Sequence, residues 1–500
     1  MPRTKTPKGM VSVYKAYRFE LHNLSKSKVR SLYKTFVQSD MAYYKALALC
    51  EEDANHILTL ETKSEKNKRF GQLQKKLQAI VKPLPFGSAL KASVIETVKQ
   101  QVSSYVELKL SGQNAGYPSK ESHAIDYEFW LNQLLLSVDL ERESEARDAL
   151  SMKNYSKYRP LSFEKHRIGD GFKIYQDDKG RLFAFLNLWN SHDKRASKIQ
   201  MDMIDTKSGE RCQESTSLGM LVPLSFSEKQ RDALSKGQAQ TAKLVATEDG
   251  RFFLMVSVLF QVRKQEAACI MGVDRGFDEL ATFSVRDSSS GKVFVTGSLS
   301  GHNLRQHQRK LEAKQKLDQK LGKRYISGWS NYSLNLMHHV ANEIVSIADK
   351  YKCQVVLEDL SSIKNNPHMK RPKGARKSNF SRMLSRQQYG RLEFLLGYKL
   401  ACMGLPPPKL VRAAYTSVTC PKCGHADKNN RPPHRRDTFC CTNSPCQYQE
   451  HADIVGAHNV AGKFIWYESV KSKMKKGHPL PEQHQYSYWL RQNLVLEAGK

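Results

Sequence analysis

Two apolar runs that each end in an acid limit what this chain can fold into. Residues 268 to 274 are small or apolar up to Asp274, and the β-branched run Val355-Val356-Leu357 delivers Glu358. Between them, Leu280 to Val285 read as a second strand, and Val293 to Val295 begin a third after a Ser-Ser-Ser-Gly turn. A basic helical stretch follows from Leu304 to about Lys323. Another from Leu336 places Val340, Ile344 and Ile347 at the spacing of a buried helix face. The order is strand, strand, strand, helix, strand, with acids closing the first and fourth strands. A third acid, Asp453, precedes Ile454, Ala457 and Val460, which read as the inward face of a last helix approaching the sheet.

Carboxylates distant in sequence converge when they end adjacent strands or sit on a helix packed against them. A few suffice to hold a hard cation such as Mg²⁺, which takes oxygen ligands and keeps several waters. Two such cations roughly 3.5–4 Å apart supply what phosphodiester hydrolysis needs, a nucleophilic water and charge stabilisation on the attacking and leaving oxygens. Any one acid alone reads as a solvated carboxylate or a helix cap. Asp359 is assigned that role, because neighbouring strand residues face opposite ways. On this strand order Asp274, Glu358 and Asp453 read together as a carboxylate triad on a sheet resembling the RNase H-like fold.

Five of the ten cysteines fall between Cys420 and Cys446, as CPKCGHADKNN…DTFCCTNSPC. Two cysteine knuckles separated by a polar loop suit tetrahedral coordination of Zn²⁺ by thiolates. Cys420 and Cys423 form the first knuckle; Cys446 pairs with either Cys441 or Cys440, and His425, His434 and His451 are substitute ligands. The assigned set is Cys420, Cys423, Cys441 and Cys446. With four protein ligands such a zinc is structural. The competing reading, disulfides, is disfavoured because nothing resembles a signal peptide and a basic intracellular chain favours reduced thiols.

Net charge is +31 and the pI near 9.6, far more than solubility requires, which implies a polyanionic partner. The bases are grouped. Arg305, Arg309, Lys310, Lys314, Lys316, Lys320, Lys323 and Arg324 follow the third strand; Lys364, Lys370, Arg371, Lys373, Arg376, Lys377, Arg382 and Arg386 follow Glu358. Acids are sparse among them, so phosphate contact is a better reading than a solvated face. The second group lies in NNPHMKRPKGARKSNFSRM, whose Gly, Pro, Ser and Asn read as a loop, either a lid over the active-site strand or a plain connection.

The N-terminal half carries no catalytic motif. Residues 12 to 21 alternate as a strand, Lys26 to Leu150 are helical in pattern, and strand signals return between Tyr158 and Val262 in GFKIY, GRLFAFLNL and GRFFLMVSVLFQV. Tyr14, Tyr17, Phe19, Trp130 and Trp189 could stack on bases, but the core is the stronger reading for each. Nothing reads as a transmembrane span or a repeat.

The motifs GVDRGFDELATFS around Asp274, VVLEDL around Glu358, YTSVTCPKCGHADKNNR, and FCCTNSPC leading into HADIVGAHNVA resemble those of RuvC-type nucleases: transposon-encoded TnpB and the type V CRISPR effectors related to it. The resemblance covers 266 to about 463 and implies an α+β multidomain architecture. A RuvC (RNase H-like) nuclease domain, split as 266–415 and 451–500, would surround a zinc-binding, target-nucleic-acid-binding insert at 416–450. A β-barrel-like wedge domain, split as 1–24 and 153–265, would be interrupted by a helical recognition domain at 25–152. It implies catalysis by Asp274, Glu358 and Asp453 with Mg²⁺, a guide RNA, a target double-stranded DNA read beside a short flanking motif, and a prokaryotic cytoplasmic setting. From the grouping of bases, Arg305, Arg309, Lys310, Lys370, Arg371, Lys373, Arg376 and Lys377 are the residues assigned to nucleic-acid contact. The chain departs from the family pattern at Val455, where asparagine is common, and at Gly456, where alanine is; Asn459 matches the later asparagine. At 500 residues a compact CRISPR effector is favoured over TnpB, with a homodimer or a large structured RNA supplying surface for a heteroduplex of roughly 20 base pairs. A guided DNA-binding effector with little cleavage and an unguided recombination nuclease are the competing functions.

Overall fold

The computed structural model describes residues 6–118, 158–164, 171–191, 193, 199–206, 208–216, 219–247, 249–276, 279–322, 329–360, 389–432, 434–435, 437–471 and 486–491. The chain divides into two compact units, Tyr14–Phe260, and Met1–Val13 with Gln261–Lys500. It is a mixed α+β protein.

The first unit is entered along β1 (Met10–Leu21), followed by α1 (Lys26–Ala48), α2 (Glu51–Thr59), α3 (Lys63–Val81) and α4 (Ser88–Leu110). Local chemistry starts these helices: Ser25 accepts from the Lys28 amide, and Thr62 and Glu65 form a capping box. Strands β2 (Leu161–Phe163), β3 (Phe172–Gln176), β4 (Leu182–Asn187), β5 (Ile199–Asp205), β6 (Arg211–Thr216) and β7 (Gly219–Ser225) follow, then α5 (Glu228–Lys236), β8 (Gln238–Ala246) and β9 (Phe252–Arg263). The strands join in the order β2-β8-β9-β1-β7-β4-β3-β5-β6. Among the described residues this sheet is open, with β2 and β6 at its edges, so the barrel-like closure expected from the sequence is not seen. Strand β5 alternates Ile199, Met201 and Met203 with Gln200 and Asp202, whereas β6 is polar apart from Cys212 and carried no apolar alternation to announce it. Trp189 is buried with its indole N–H donating to Thr35 Oγ1 at 3.2 Å, and Phe19 is buried. Tyr14, assigned to the core, is instead 54% exposed because alternation turns Val13 inward. Trp130 lies outside the described residues.

The second unit holds β10 (Cys269–Asp274), β11 (Glu279–Asp287), β12 (Val293–Ser300), α6 (His302–Lys320), α7 (Trp329–Lys350), β13 (Cys353–Asp359), α8 (Tyr389–Cys402), β14 (Lys409–Arg412), β15 (Thr438–Cys440), β16 (Gln449–His451) and α9 (Ala452–Lys471). Helix α7 starts at Trp329 rather than Leu336, where the apolar spacing begins. Its early turns pack by a ring stack, Tyr332 on His307 of α6 with centroids 3.8 Å apart, which hydrophobic periodicity does not register. The five-stranded sheet runs β12-β11-β10-β13-β14. Strand β11 is antiparallel to both β10 and β12, whereas β13 is parallel to β10 and to β14.

Strand alternation sorts side chains between two layers. Met271, Val273, Val355 and Leu357 belong to a core that includes Ile344 of α7 and Leu396 of α8. Ile270 and Val356 face the other way, onto Val460 and Ala461 of α9. Gly272 sits on that second face, where a Cβ would strike the Ala457 carbonyl and the Ala461 backbone, so the missing side chain lets α9 lie directly on β10.

Candidate active site

Register brings the first two acids together. Val273 pairs with Leu357 across parallel strands, so the next residues, Asp274 and Glu358, end neighbouring strands at the same level. Alternation places both on the face covered by α9. That helix carries Asp453 in its first turn, where the Asp453 amide donates to His451 Nδ1 at 3.3 Å. A Cβ at Gly456, one turn on, would be driven into the Asp274 carboxylate, and one at Gly276 would lie 3.8 Å from Asp453 Oδ2.

The carboxyls of Asp274 and Glu358 face one another closely enough to perturb each other's titration. Burial, then the negative charges of Glu358 and Asp453, hold Asp274 well above the usual carboxylate range. Burial also raises Glu358, against the opposing pull of Thr416, Asp274, Arg275 and Lys463. Glu358 is 6% exposed; its Oε1 lies 2.5 Å from Thr416 Oγ1, and its backbone carbonyl accepts from Arg275. Lys463, buried on α9, donates to the carbonyls of Arg412 (3.1 Å) and Ala414, and burial pulls its ammonium down to about 8. Arg431 forms a 3.7 Å ion pair with Asp453.

These residues fit a hard divalent cation. Three acids converge at a largely buried end of the sheet, and the Thr282 hydroxyl, directly across the ladder from Asp274, is buried with no protein partner among the described residues. Oxygen donors in excess and an orphaned hydroxyl suit a hydrated cation whose waters bridge to the protein.

The thiols of Cys420, Cys423, Cys441 and Cys446 all lie within 4.8 Å of one another. Cys420 Sγ is 3.8 Å from Cys446 Sγ, and Cys423 Sγ is 3.6 Å from Cys441 Sγ. These are not disulfide separations. A tetrahedron with metal–sulfur bonds of ~2.3 Å has edges near these lengths, so the cluster can bind a metal such as zinc. Alternation along β15 decides the open choice of ligand: Cys440 pairs with Gln449 in the ladder, while buried Phe439 and Cys441 turn into the cluster. None of the three histidines joins it; His425 contacts Thr442 Oγ1, and His451 caps α9. Buried Asn430 ties the knuckles together, donating to the carbonyls of Val418 and His425 and accepting from the Thr442 amide.

Helix α9 differs from its sequence reading. Ile454 is only half-buried, whereas Val455 is fully buried against Cys420, Phe439 and Cys441. The helix is enclosed from Val455 through Lys463 by the sheet on one side and the cysteine cluster on another, so no single stripe describes it. On α6, Arg309, Lys310, Lys314, Lys316 and Lys320 are exposed and Arg305 is half-buried. Lys323, Arg324 and the whole second basic group, including Lys370, Arg371, Lys373, Arg376 and Lys377, lie outside the described residues, as does the loop read as a lid. Among the described residues no helix is long and apolar enough to cross a membrane. Arg275, Thr282, Thr416 and Lys463 were missed by sequence reasoning. Arg275 and Thr282 stood within GVDRGFDELATFS and Thr416 within YTSVTCPKC, whereas Lys463 lay beyond the quoted motifs.

Residues 389–460 match the family described as Cas12f1-like, TNB domain. The chain is 25% identical over 193 residues to a TnpB-like protein of Methanocaldococcus jannaschii, covering 36% of this chain and 64% of that protein. It is also 25% identical over 257 residues to InsQ of Escherichia coli K12, whose name carries a provisional assignment as an RNA-guided DNA endonuclease, covering 48% and 60%. The chain thus spans less than two thirds of the length of either curated relative. A solved Cas12f1–sgRNA–target DNA complex shares its fold, with a TM-score of 0.54 and 14% identity over 90% of this chain and 99% of that one. The chain is thus similar in part of its sequence to TnpB-like proteins and in fold to the Cas12f1 chain of that complex.

Proposed function

We propose that the chain is an RNA-guided DNA endonuclease with one RuvC-like site built from Asp274, Glu358 and Asp453. The observation that carries this is the convergence of the three acids: two at the same level on neighbouring parallel strands and a third on the helix packed against them. The strand order, with the second strand reversed, supports an RNase H-like domain. Mg²⁺ bound there would supply an activated water and charge neutralisation at the scissile phosphate. Within the protein, Thr416 and Arg275 hold Glu358 and Gly456 admits α9 beside Asp274. Arg431 offers a guanidinium to charge building on the phosphate. Zn²⁺ on the four thiols is structural, and the exposed bases of α6 run along a nucleic-acid backbone. The related complex contains guide RNA and target DNA, which supports the same partners here. Residues 1–24 and 153–265 then serve as the wedge domain and 25–152 as the recognition domain.

The test is cleavage of a guide-matched duplex. Asp274→Ala and Glu358→Ala are expected to abolish cutting while RNA-dependent DNA binding persists; undiminished cutting by either variant sinks the assignment. The TnpB-like relatives favour a second reading, a transposon-encoded guided nuclease. Sequencing the RNA that co-purifies separates the two, since array spacers and a transposon-end transcript differ.

A further inference from the structure

The segment 415–420 joins the two centres of this unit. At one end the Thr416 hydroxyl lies 2.5 Å from Glu358 Oε1. At the other, Cys420 enters the thiol cluster. One side chain of α9 spans the two ends: Asn459 Nδ2 donates to the carbonyls of both Thr416 and Thr419, each at 2.7 Å. Asn459 is fully buried, and its Oδ1 accepts from Tyr486 at 3.3 Å. The turn is closed by Thr419, whose amide and hydroxyl donate to the Tyr415 carbonyl at 3.2 and 2.8 Å. Two turns of α9 are thereby pinned to this strap, since Val455 also packs against Cys420 and Cys441.

Tyr415 adopts φ of 65°, a left-handed conformation disfavoured for a residue with a Cβ, and the residue is 51% exposed. Burial of the residue therefore does not offset the strain. What the strained turn achieves is the inward aim of Thr416. Strain held by surrounding hydrogen bonds is characteristic of positions where geometry matters for function.

We propose that Thr416 is a positioning residue for Glu358, and that the Asn459 clamp makes its place depend on metal being bound at Cys420, Cys423, Cys441 and Cys446. The proposal rests on the reading of Asp274, Glu358 and Asp453 as a divalent-cation site. Groups that orient metal-binding carboxylates change metal affinity by roughly 10–100-fold when removed. Thr416→Val keeps the shape and deletes the hydroxyl, while Thr416→Ser restores it.

The experiment measures Mn²⁺ affinity of the full chain from the paramagnetic resonance signal of free Mn²⁺, with melting temperature as a control. Wild type should bind Mn²⁺ in a manner lost in Asp274→Ala. Thr416→Val should bind at least about tenfold more weakly at an unchanged melting temperature, and Thr416→Ser within about threefold of wild type. Zinc release by a mercurial, reversed with thiol, should weaken Mn²⁺ binding in wild type but add nothing in Thr416→Val. Wild-type affinity in Thr416→Val overturns the positioning role while leaving the acid site standing. Independent, multiplying effects of zinc release and Thr416→Val overturn the link between the centres. Absence of Asp274-dependent Mn²⁺ binding in wild type overturns the acid site and this inference with it.

Discussion

Replacing Gly272 by alanine puts one methyl group between β10 and α9. The added Cβ would meet the Ala461 amide nitrogen at 2.5 Å and Ala461 Cβ at 2.9 Å, and would overlap the Ala457 carbonyl. Comfortable contact begins near 3.4 Å, and the atoms met are helix backbone, which cannot swing aside. Helix α9 must therefore withdraw by about 1 Å, the scale at which overpacking a well-filled core costs ~1–3 kcal/mol. Removing a glycine from a strand returns roughly 0.5–1 kcal/mol, leaving a net loss of about 1–2 kcal/mol, or ~2–8 °C in melting temperature for a unit of this size. The functional effect should be larger. Asp453 rides on the first turn of α9 while Asp274 stays on β10, and a misplacement of ~1 Å can cost about a hundredfold in rate. Thermal melting and single-turnover cleavage at saturating Mg²⁺ read the two effects separately. Cleavage within about threefold of the parent, whether or not the melting point falls, would refute the claim that this contact sets the spacing of the acids.

Two further outcomes follow from named groups. His458 is buried on α9 with Nδ1 2.8 Å from Ser284 Oγ, and burial, aided by the charge of Arg286, lowers its pKa from 6.5 to about 4. The unfolded chain therefore takes up this proton first: the stabilisation is complete above about pH 6.5 and is lost as the pH falls towards 4, by up to about 3 kcal/mol. Urea unfolding at pH 7.5 and 4.5 should show that loss in wild type and a smaller one in His458→Gln; equal losses would exclude His458 as the source. At the thiol cluster, Cys441→Ser should lose bound zinc and melt lower while Cys440→Ser retains both. Metal analysis giving the reverse would overturn the ligand assignment made from strand alternation.

Much of the acid site was legible in sequence because strands advertise themselves locally. The apolar runs before Asp274 and Glu358, and the turn at Ser288-Ser289-Ser290-Gly291, are patterns of a few residues. Strand β14 was not legible: Lys409–Arg412 is four residues long after three prolines and buries only Val411, yet it completes the sheet beside Glu358. Strand β6 was hidden for a related reason, since Arg211–Thr216 has Cys212 as its one apolar residue, although its partner β5 does alternate Ile199, Met201 and Met203 with polar residues.

The sequence by itself determined which acids and thiols exist, their order, and the strand and helix periodicities that make convergence feasible, because these depend on residues within a turn or a strand of one another. Only the tertiary structure decided which cysteine of the Cys440-Cys441 pair enters the cluster, that Val455 packs against the thiols, and that Thr416 and Asn459 link them to Glu358. Those outcomes depend on what α9 presses against, and a helix enclosed on several sides leaves no single stripe in its sequence to say which neighbour each residue meets.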